Sequence, residues 1–309
     1  MSRTLYDIIE FNKPIDTWFG VGGGADRYAR PADREELADC LVAYAGHTVR
    51  VLGDGANLLV DDVGVDGLVI DLADLDSVEY SPGESPDEVI LHAQAGANLP
   101  RLIVESVREG YAGLESLAGI PASIGGAVIM NAGGAFGSIA ELVTRVHAMS
   151  STGAELVIPA EQISFDYRHS GLEHLVITSV ELRLRRVSDK TRPALRDRLK
   201  EVMAYKKKTQ PMADRSAGCC FKNPLAVGPG LPGAGTRVSA GKLIDEAGCK
   251  GLRIGGAEVS SVHANFIVTH EGCRASDIIE LMEEVERRVF EFCGVKLERE
   301  VRVWQRSEA

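Results

Sequence analysis

Two stretches of the chain hold the residue types that could do chemistry. One runs from Gly113 to Gly137. It is too rich in glycine for a packed helix and too apolar for a disordered linker. Glycine reaches torsions that other residues avoid and lets main chain approach a ligand closely. Pro121 fixes one turn and pushes Ile120 towards an extended conformation. Ser123 and the amides from Ile124 to Ala127 could form a nest of donors for an anionic group such as a diphosphate. A tightly packed turn between buried elements is the other reading. The second stretch holds the adjacent pair Cys219-Cys220, in a chain whose other cysteines are scattered. No Cys-x-x-Cys spacing suggests zinc, so free thiols and no metal site are expected.

Elements must position these stretches. The sequence predicts a loose N-terminus, then a turn over Thr17 to Asp26. Asp33 caps a helix from Arg34 to Ala45, with Leu37, Leu41 and Val42 on one face and Gly46 as its stop. Strands are expected at Val49 to Leu52, Leu58 to Val60 and Leu68 to Asp71. The turn Gly53-Asp54-Gly55-Ala56-Asn57 is not Gly-x-Gly-x-x-Gly opening a long helix, which excludes a standard Rossmann motif. Asp74 to Glu88 is acidic and reads as a solvated hairpin or loop. Asn98 caps a helix from Leu99 to Glu109, which Gly110 ends. Strands are expected at Val89 to Ala93, Val143 to Met149, Glu155 to Ile158 and Leu175 to Arg185, which suits an α+β domain.

Composition shifts near Val187. Thr191 to Lys208 reads as a basic helix. Its Lys206-Lys207-Lys208 run forms a solvated face or helps to attract an anionic ligand. A Gly- and Pro-rich loop from Gln210 to Val238 follows, and loops of that length are often functional. Further on come a short helix from Ser239 to Ala247 and a strand from Asn265 to Thr269. Ser276 caps a long amphipathic helix from Asp277 to Phe292. The last strand, Val295 to Trp304, places Val295, Leu297, Val301 and Val303 on one face, with Arg299 as the exception.

At 309 residues the chain is long enough for two domains. A net charge of -11 argues against a general nucleic-acid binder. No apolar run is long enough to span a bilayer, and the first residues lack the apolar core of a signal peptide. A reduced, cytoplasmic protein is expected, with a monomer favoured.

Several separated segments together resemble the UDP-N-acetylenolpyruvoylglucosamine reductase (MurB) family. They are Val21 to Asp26, Leu52 to Leu59, Gly119 to Ala127 with Asn131-Ala132-Gly133, Asp166-Tyr167-Arg168, Gly218 to Pro224, Ala240 to Asp245, Ile254 to Val259, His263-Ala264-Asn265 and Leu297 to Val301. The resemblance spans residues 15 to 305. It implies a vanillyl-alcohol-oxidase (PCMH) type FAD-binding fold over residues 1–186. A smaller α+β substrate-binding domain over 187–309 would follow, its last strand returning to the active site. It also implies non-covalent FAD, NADPH as hydride donor, and reduction of UDP-N-acetylglucosamine enolpyruvate to UDP-N-acetylmuramate in peptidoglycan precursor synthesis.

The family's catalytic arginine and glutamate correspond to Arg168 and Glu300. An arginine fork suits a carboxylate whose charge grows as hydride adds. A protonated glutamate nearby could donate a hydrogen bond or polarise the intermediate. The family usually has Gly-Ser where this chain has Gly218-Cys219, which makes Cys219 the expected proton donor. A thiol, with an ordinary pKa near ~8.5, gives up a proton more readily than an alkyl hydroxyl. An impaired site, with Cys219 only filling space, is the alternative. A non-catalytic flavin or UDP-sugar binding protein and another PCMH-type oxidoreductase are the alternative functions. Flavin contacts carry over to Gly53, Gly55, Asn57, Leu58, Gly119, Ile120, Pro121, Ser123, Ile124, Gly125 and Gly126. Ala56 stands where serine is common. Lys222, Asn223 and Lys242 carry over as contacts for the UDP part. The short span from Arg168 to Gly218 points to the shorter family form.

Overall fold

The computed structural model describes residues 3–225 and 235–307. Residues 226–234 of the expected loop from Gln210 to Val238 lie outside that range, as do the first two residues of the expected loose N-terminus. The chain divides into two compact units. One comprises residues 1–13, 26–54 and 67–206; the other comprises 14–25, 55–66 and 207–309. These are packing units.

The first unit is built on an antiparallel sheet in the order Glu155–Pro159, Val143–Met149, Val176–Arg186, Glu88–Gln94, Val78–Pro82, with Tyr111–Ala112 also pairing Val176–Arg186. The alternation read over Leu175 to Arg185 places Val180, Leu182 and Leu184 in the core, each at most 2% exposed. The strand lies between two partners, which explains its length. The acidic stretch resolves as the hairpin alternative, with Val78 paired to Ala93 and Pro82 to Val89. A four-stranded sheet has the order Ile9–Pro14, Gly24–Ala29, Val65–Asp71, Val49–Leu52, and its last two strands run parallel.

Helix ends follow local chemistry. The Asp33 carboxylate accepts the Glu36 N–H at 2.9 Å, and the Asn98 side chain accepts the Arg101 N–H at 2.9 Å. Helix Leu99–Glu109 ends on Gly110 with φ 82°.

Some expectations are corrected. The N-terminus is not loose from Thr4 onward: a turn of helix, Leu5–Ile8, leads into strand Ile9–Pro14. That strand is largely exposed, so main-chain pairing holds it and no apolar alternation marks it. Helix Arg34–Ala43 stops before Ala45, and Val42 faces solvent. The glycine-rich stretch does contain a packed helix, Ile124–Ile129, capped where the Ser123 Oγ accepts the Gly126 N–H. Glycine weakens a helix by about 1 kcal/mol relative to alanine. Here it permits close packing: a Cβ on Gly125 would lie 2.9 Å from the Ala95 Cβ.

The second unit packs Phe19, Leu59, Phe221, Ile244 and Val259 with Ile278, Leu281, Met282 and Val285 of helix Ala275–Cys293. That helix starts two residues before the expected Asp277, and Ser276 is not its cap. Asp62, more than two hundred positions earlier, accepts the N–H groups of Ala275 at 2.8 Å and Ser276 at 3.0 Å. Burial works against the Asp62 charge, but the hydrogen bonds from Ser276 and Ala275 outweigh it and hold the carboxyl below its usual range. The folded state therefore binds that proton less tightly than the unfolded chain. The cap's contribution is full above the unfolded carboxyl's ordinary pKa, about 4, and is lost as the pH falls through the folded value. Asp62→Asn is expected to cost about 1 kcal/mol at pH 7, with the gap to wild type narrowing below about pH 4. Urea melts at the two pH values measure this, and an equal gap at both would contradict it.

The final strand is shorter than the alternation suggests. Only Arg302–Trp304 forms a ladder, parallel to Leu58–Val60. Val295, Leu297 and Val301 are buried as expected. Arg299, the exception on that face, is held by Glu286 of helix Ala275–Cys293 at 2.6 Å. Among the described residues, no helix is long and apolar enough to cross a membrane.

Candidate functional site

In the first unit, the turn after strand Val49–Leu52 meets the start of helix Ile124–Ile129. A Cβ on Gly53 would lie 2.7 Å from the Ser123 Oγ, so only glycine leaves that serine in place. A Cβ on Gly126 would meet nothing within 4 Å except the same oxygen, at 3.3 Å. Gly53 and Gly126 thus present bare main chain around Ser123, a surface that suits close approach by a flat or phosphorylated cofactor. The expected donor nest is corrected, however. The Ile124 N–H donates to the Ala97 carbonyl, Gly125 to Ala95, Gly126 to the Ser123 Oγ, and Ala127 to the Ser123 carbonyl. All four amides already serve the fold. Gly119 has φ 73°, and the Ile120 N–H donates to Leu117, which closes the turn before Pro121.

Arg168 also belongs to the first unit and has φ 56°, a left-handed torsion that disfavours any residue with a Cβ. The Asp166 N–H donates to the His169 carbonyl and the His169 N–H returns to Asp166, so Arg168 sits at the tip of a tight turn. Its guanidinium lies 5.0 Å from the Tyr167 ring centre. The Asn131 carboxamide anchors the turn by donating to the Asp166 carbonyl at 2.9 Å.

The second unit brings Cys219 and Glu300 into one local framework. The Glu300 N–H donates to the Cys220 carbonyl at 2.7 Å. From the other side, the Asn57 Nδ2 donates to the Glu300 carbonyl at 3.0 Å, and the Asn57 carbonyl accepts the Arg302 N–H. Glu300 is thereby fixed at both main-chain groups. Cys219 pairs with Phe266 and is partly exposed. Cys220 is 1% exposed, and burial pushes its thiol up to about 12. Of the adjacent pair, only Cys219 is accessible, and all six cysteines are free thiols.

The three expected substrate contacts differ in their surroundings. Lys222 pairs with Glu298, and its N–H donates to the Glu298 carbonyl at 2.8 Å. Asn223 accepts the Ala240 N–H at 2.9 Å, at the start of helix Ala240–Glu246. Lys242 is exposed on that helix, 3.7 Å from Glu246. A cavity of about 460 Å³ in this unit, lined by Phe19, Gly20, Val21, Arg215 and Thr269 among others, contains none of the catalytic, cofactor or substrate residues expected from sequence.

Asn265 received no role from sequence, although His263-Ala264-Asn265 was among the resembling segments. It is 3% exposed. Its Oδ1 accepts the Phe221 N–H at 2.9 Å, its Nδ2 donates to the Phe221 carbonyl at 2.8 Å, and its own carbonyl accepts the Cys220 N–H at 2.8 Å. Burial lowers the His263 pKa, and the ring Nδ1 accepts the Asn265 N–H at 3.2 Å. An amide inside an apolar run was the available signal: a buried carboxamide must find partners.

Comparison with known proteins places the chain's relatives. Residues 25–158 match a model described as an FAD binding domain. Residues 210–304 match one described as the C-terminal domain of UDP-N-acetylenolpyruvoylglucosamine reductase. The chain is 39% identical over 297 residues to the protein of that name from Moorella thermoacetica, covering 95% of this chain and 92% of the relative. It is 40% identical over 291 residues to the one from Heliobacterium modesticaldum, covering 93% and 87%. The crystal structure of the Thermus caldophilus protein superimposes with a TM-score of 0.75 at 39% identity, covering 94% of this chain and 96% of that one.

Proposed function

The chain belongs to the UDP-N-acetylenolpyruvoylglucosamine reductase (MurB) family, and from that premise we propose the working of its site. The chain is a flavoprotein oxidoreductase of peptidoglycan synthesis, a UDP-N-acetylmuramate dehydrogenase with an FAD-binding PCMH-type domain followed by the family's C-terminal domain. It reduces UDP-N-acetylglucosamine enolpyruvate to UDP-N-acetylmuramate, in the cytoplasm, as a monomer of the shorter family form. Residues 1–186 serve the cofactor and 187–309 the substrate.

FAD, when bound and reduced by NADPH, would supply the hydride for the enolpyruvyl double bond. Gly53, Gly119, Ile120, Pro121, Ser123, Ile124, Gly125 and Gly126 would hold it, together with Gly55, Asn57 and Leu58. Hydride addition at the β-carbon leaves negative charge spread from the α-carbon into the substrate carboxylate. Arg168 meets that carboxylate with a fork of charged donors, whose attraction strengthens as the charge grows. Glu300, protonated, gives the same group a hydrogen bond. Cys219 delivers the proton to the α-carbon and leaves as thiolate. Lys222, Asn223 and Lys242 engage the UDP part.

The observation that carries the assignment of Cys219 is its setting: a partly exposed thiol whose neighbour's carbonyl grips the Glu300 amide at 2.7 Å. The purified, reduced protein is expected to be yellow. Its NADPH oxidation is expected to depend on UDP-N-acetylglucosamine enolpyruvate. A yellow protein that stays inert with that substrate would shift the reading to a non-catalytic flavin or UDP-sugar binder.

A further inference from the structure

We propose that Asn265 is a positioning residue for the reaction, holding Cys219 and Glu300 in register through one buried carboxamide; this rests on the roles given to those two residues above. The carboxamide meets both main-chain groups of Phe221, so it does for that residue what a neighbouring strand would do. The orientation of the amide is dictated by its partners: the Phe221 N–H requires the oxygen and the Phe221 carbonyl requires the nitrogen. Phe221 is 2% exposed, so water cannot replace either bond.

Three chain segments are joined at this point. Phe221 pairs antiparallel with Arg299, the Cys220 carbonyl accepts the Glu300 N–H, and the Cys220 N–H donates to the Asn265 carbonyl. Cys219 pairs with Phe266, the residue after Asn265. Cys219 lies two residues from Phe221, and Glu300 lies one from Phe221's partner Arg299. A shift of the Phe221 peptide therefore moves the acid and the carboxylate together. Asn265 is itself fixed: its N–H is accepted by His263, whose ring stands edge-on to Phe266 at 4.9 Å, and strand Ile267–Thr269 follows.

The test uses the flavin-loaded full chain with Asn265→Asp and Asn265→Ala. Aspartate keeps the acceptor for the Phe221 N–H and loses the donor to its carbonyl. Both variants are expected to lose about 10- to 100-fold in kcat per bound flavin, as for a small misplacement of reacting groups. KM is expected to stay within about threefold, because the groups displaced act on the transition state. The solvent deuterium isotope effect on kcat is expected to rise as proton delivery slows. Unchanged kcat per flavin with a lowered melting temperature, or failure of both variants to fold, would overturn the proposal in favour of a purely structural asparagine. Cys219→Ala, run alongside, separates the two readings. If it retains substrate-dependent turnover, the role of Cys219 falls; if it is inactive while Asn265→Asp turns over normally, only the positioning role falls.

Discussion

Cys219→Ala is expected to cut substrate-dependent NADPH oxidation by about 10²- to 10⁴-fold, the range that a positioned proton donor contributes. The adjacent thiol cannot stand in. Cys220 is 1% exposed, its thiol is pushed up to about 12 by burial, and its peptide is committed on both sides to Asn265 and Glu300. Cys219→Ser puts in place the residue type that the sequence resemblance leads one to expect there and is expected to stay within about tenfold of wild type, a hydroxyl in the same place being a weaker acid but a better hydrogen-bond partner. Reduction of the protein by NADPH alone is expected to survive in both variants, because the role proposed for the cysteine is at the enolpyruvyl group. Stopped-flow measurement of the two half-reactions separates these effects. Full turnover by the alanine variant would refute the assignment.

Arg168→Gly is expected to cost about 10²- to 10³-fold in kcat, the loss typical of removing one donor from a developing charge. Its stability should tell a different story. Arg168 is one of three described non-glycine residues with positive φ, the others being Asn12 and Asn131. A Cβ in that conformation costs about 1–2 kcal/mol, which glycine does not incur. Glycine gives up unfolded-state entropy and the contact with Tyr167, effects of about 1 kcal/mol in the opposite sense. The glycine variant should therefore melt close to wild type, and Arg168→Ala about 1 kcal/mol below the glycine variant, since it keeps the strain and loses the contact. A nearly inactive protein of normal stability would mark the torsion as strain held for function. A glycine variant with wild-type turnover would remove Arg168 from the mechanism.

The fold was most legible where local rules act alone. The caps at Asp33 and Asn98, the stop at Gly110 and the alternation of Val180, Leu182 and Leu184 need only a few neighbouring residues. Legibility failed where a distant group decides. Ser276 looks like a cap, but Asp62 reaches the helix end first. The helix Ile124–Ile129 was hidden because glycine is read as a breaker, whereas the proximity of Ala95 makes it a requirement at Gly125. The long final alternation yields a short ladder because Phe221 and Cys220 take the hydrogen bonds of Arg299 and Glu300. In the site, family resemblance named Cys219, Arg168 and Glu300. The carboxamide that grips Phe221, whose own segment meets the glutamate segment at Arg299 and Glu300, had no role until its partners were known.

The hydrogen bond from Asn57 to Glu300 spans 243 positions of chain. The ladder that follows it pairs Leu58–Val60 with Arg302–Trp304. During synthesis, Asn57 emerges from the ribosome long before its partner exists, and no local substitute can complete that contact. Glu300 can be seated only once the chain has been made past it, by closing a loop of 243 positions, and such closures are slow. The growing polypeptide thus stays without the carboxylate proposed for catalysis in place until residue 300 has been made. On the proposed role of Glu300, competence waits on that one closure.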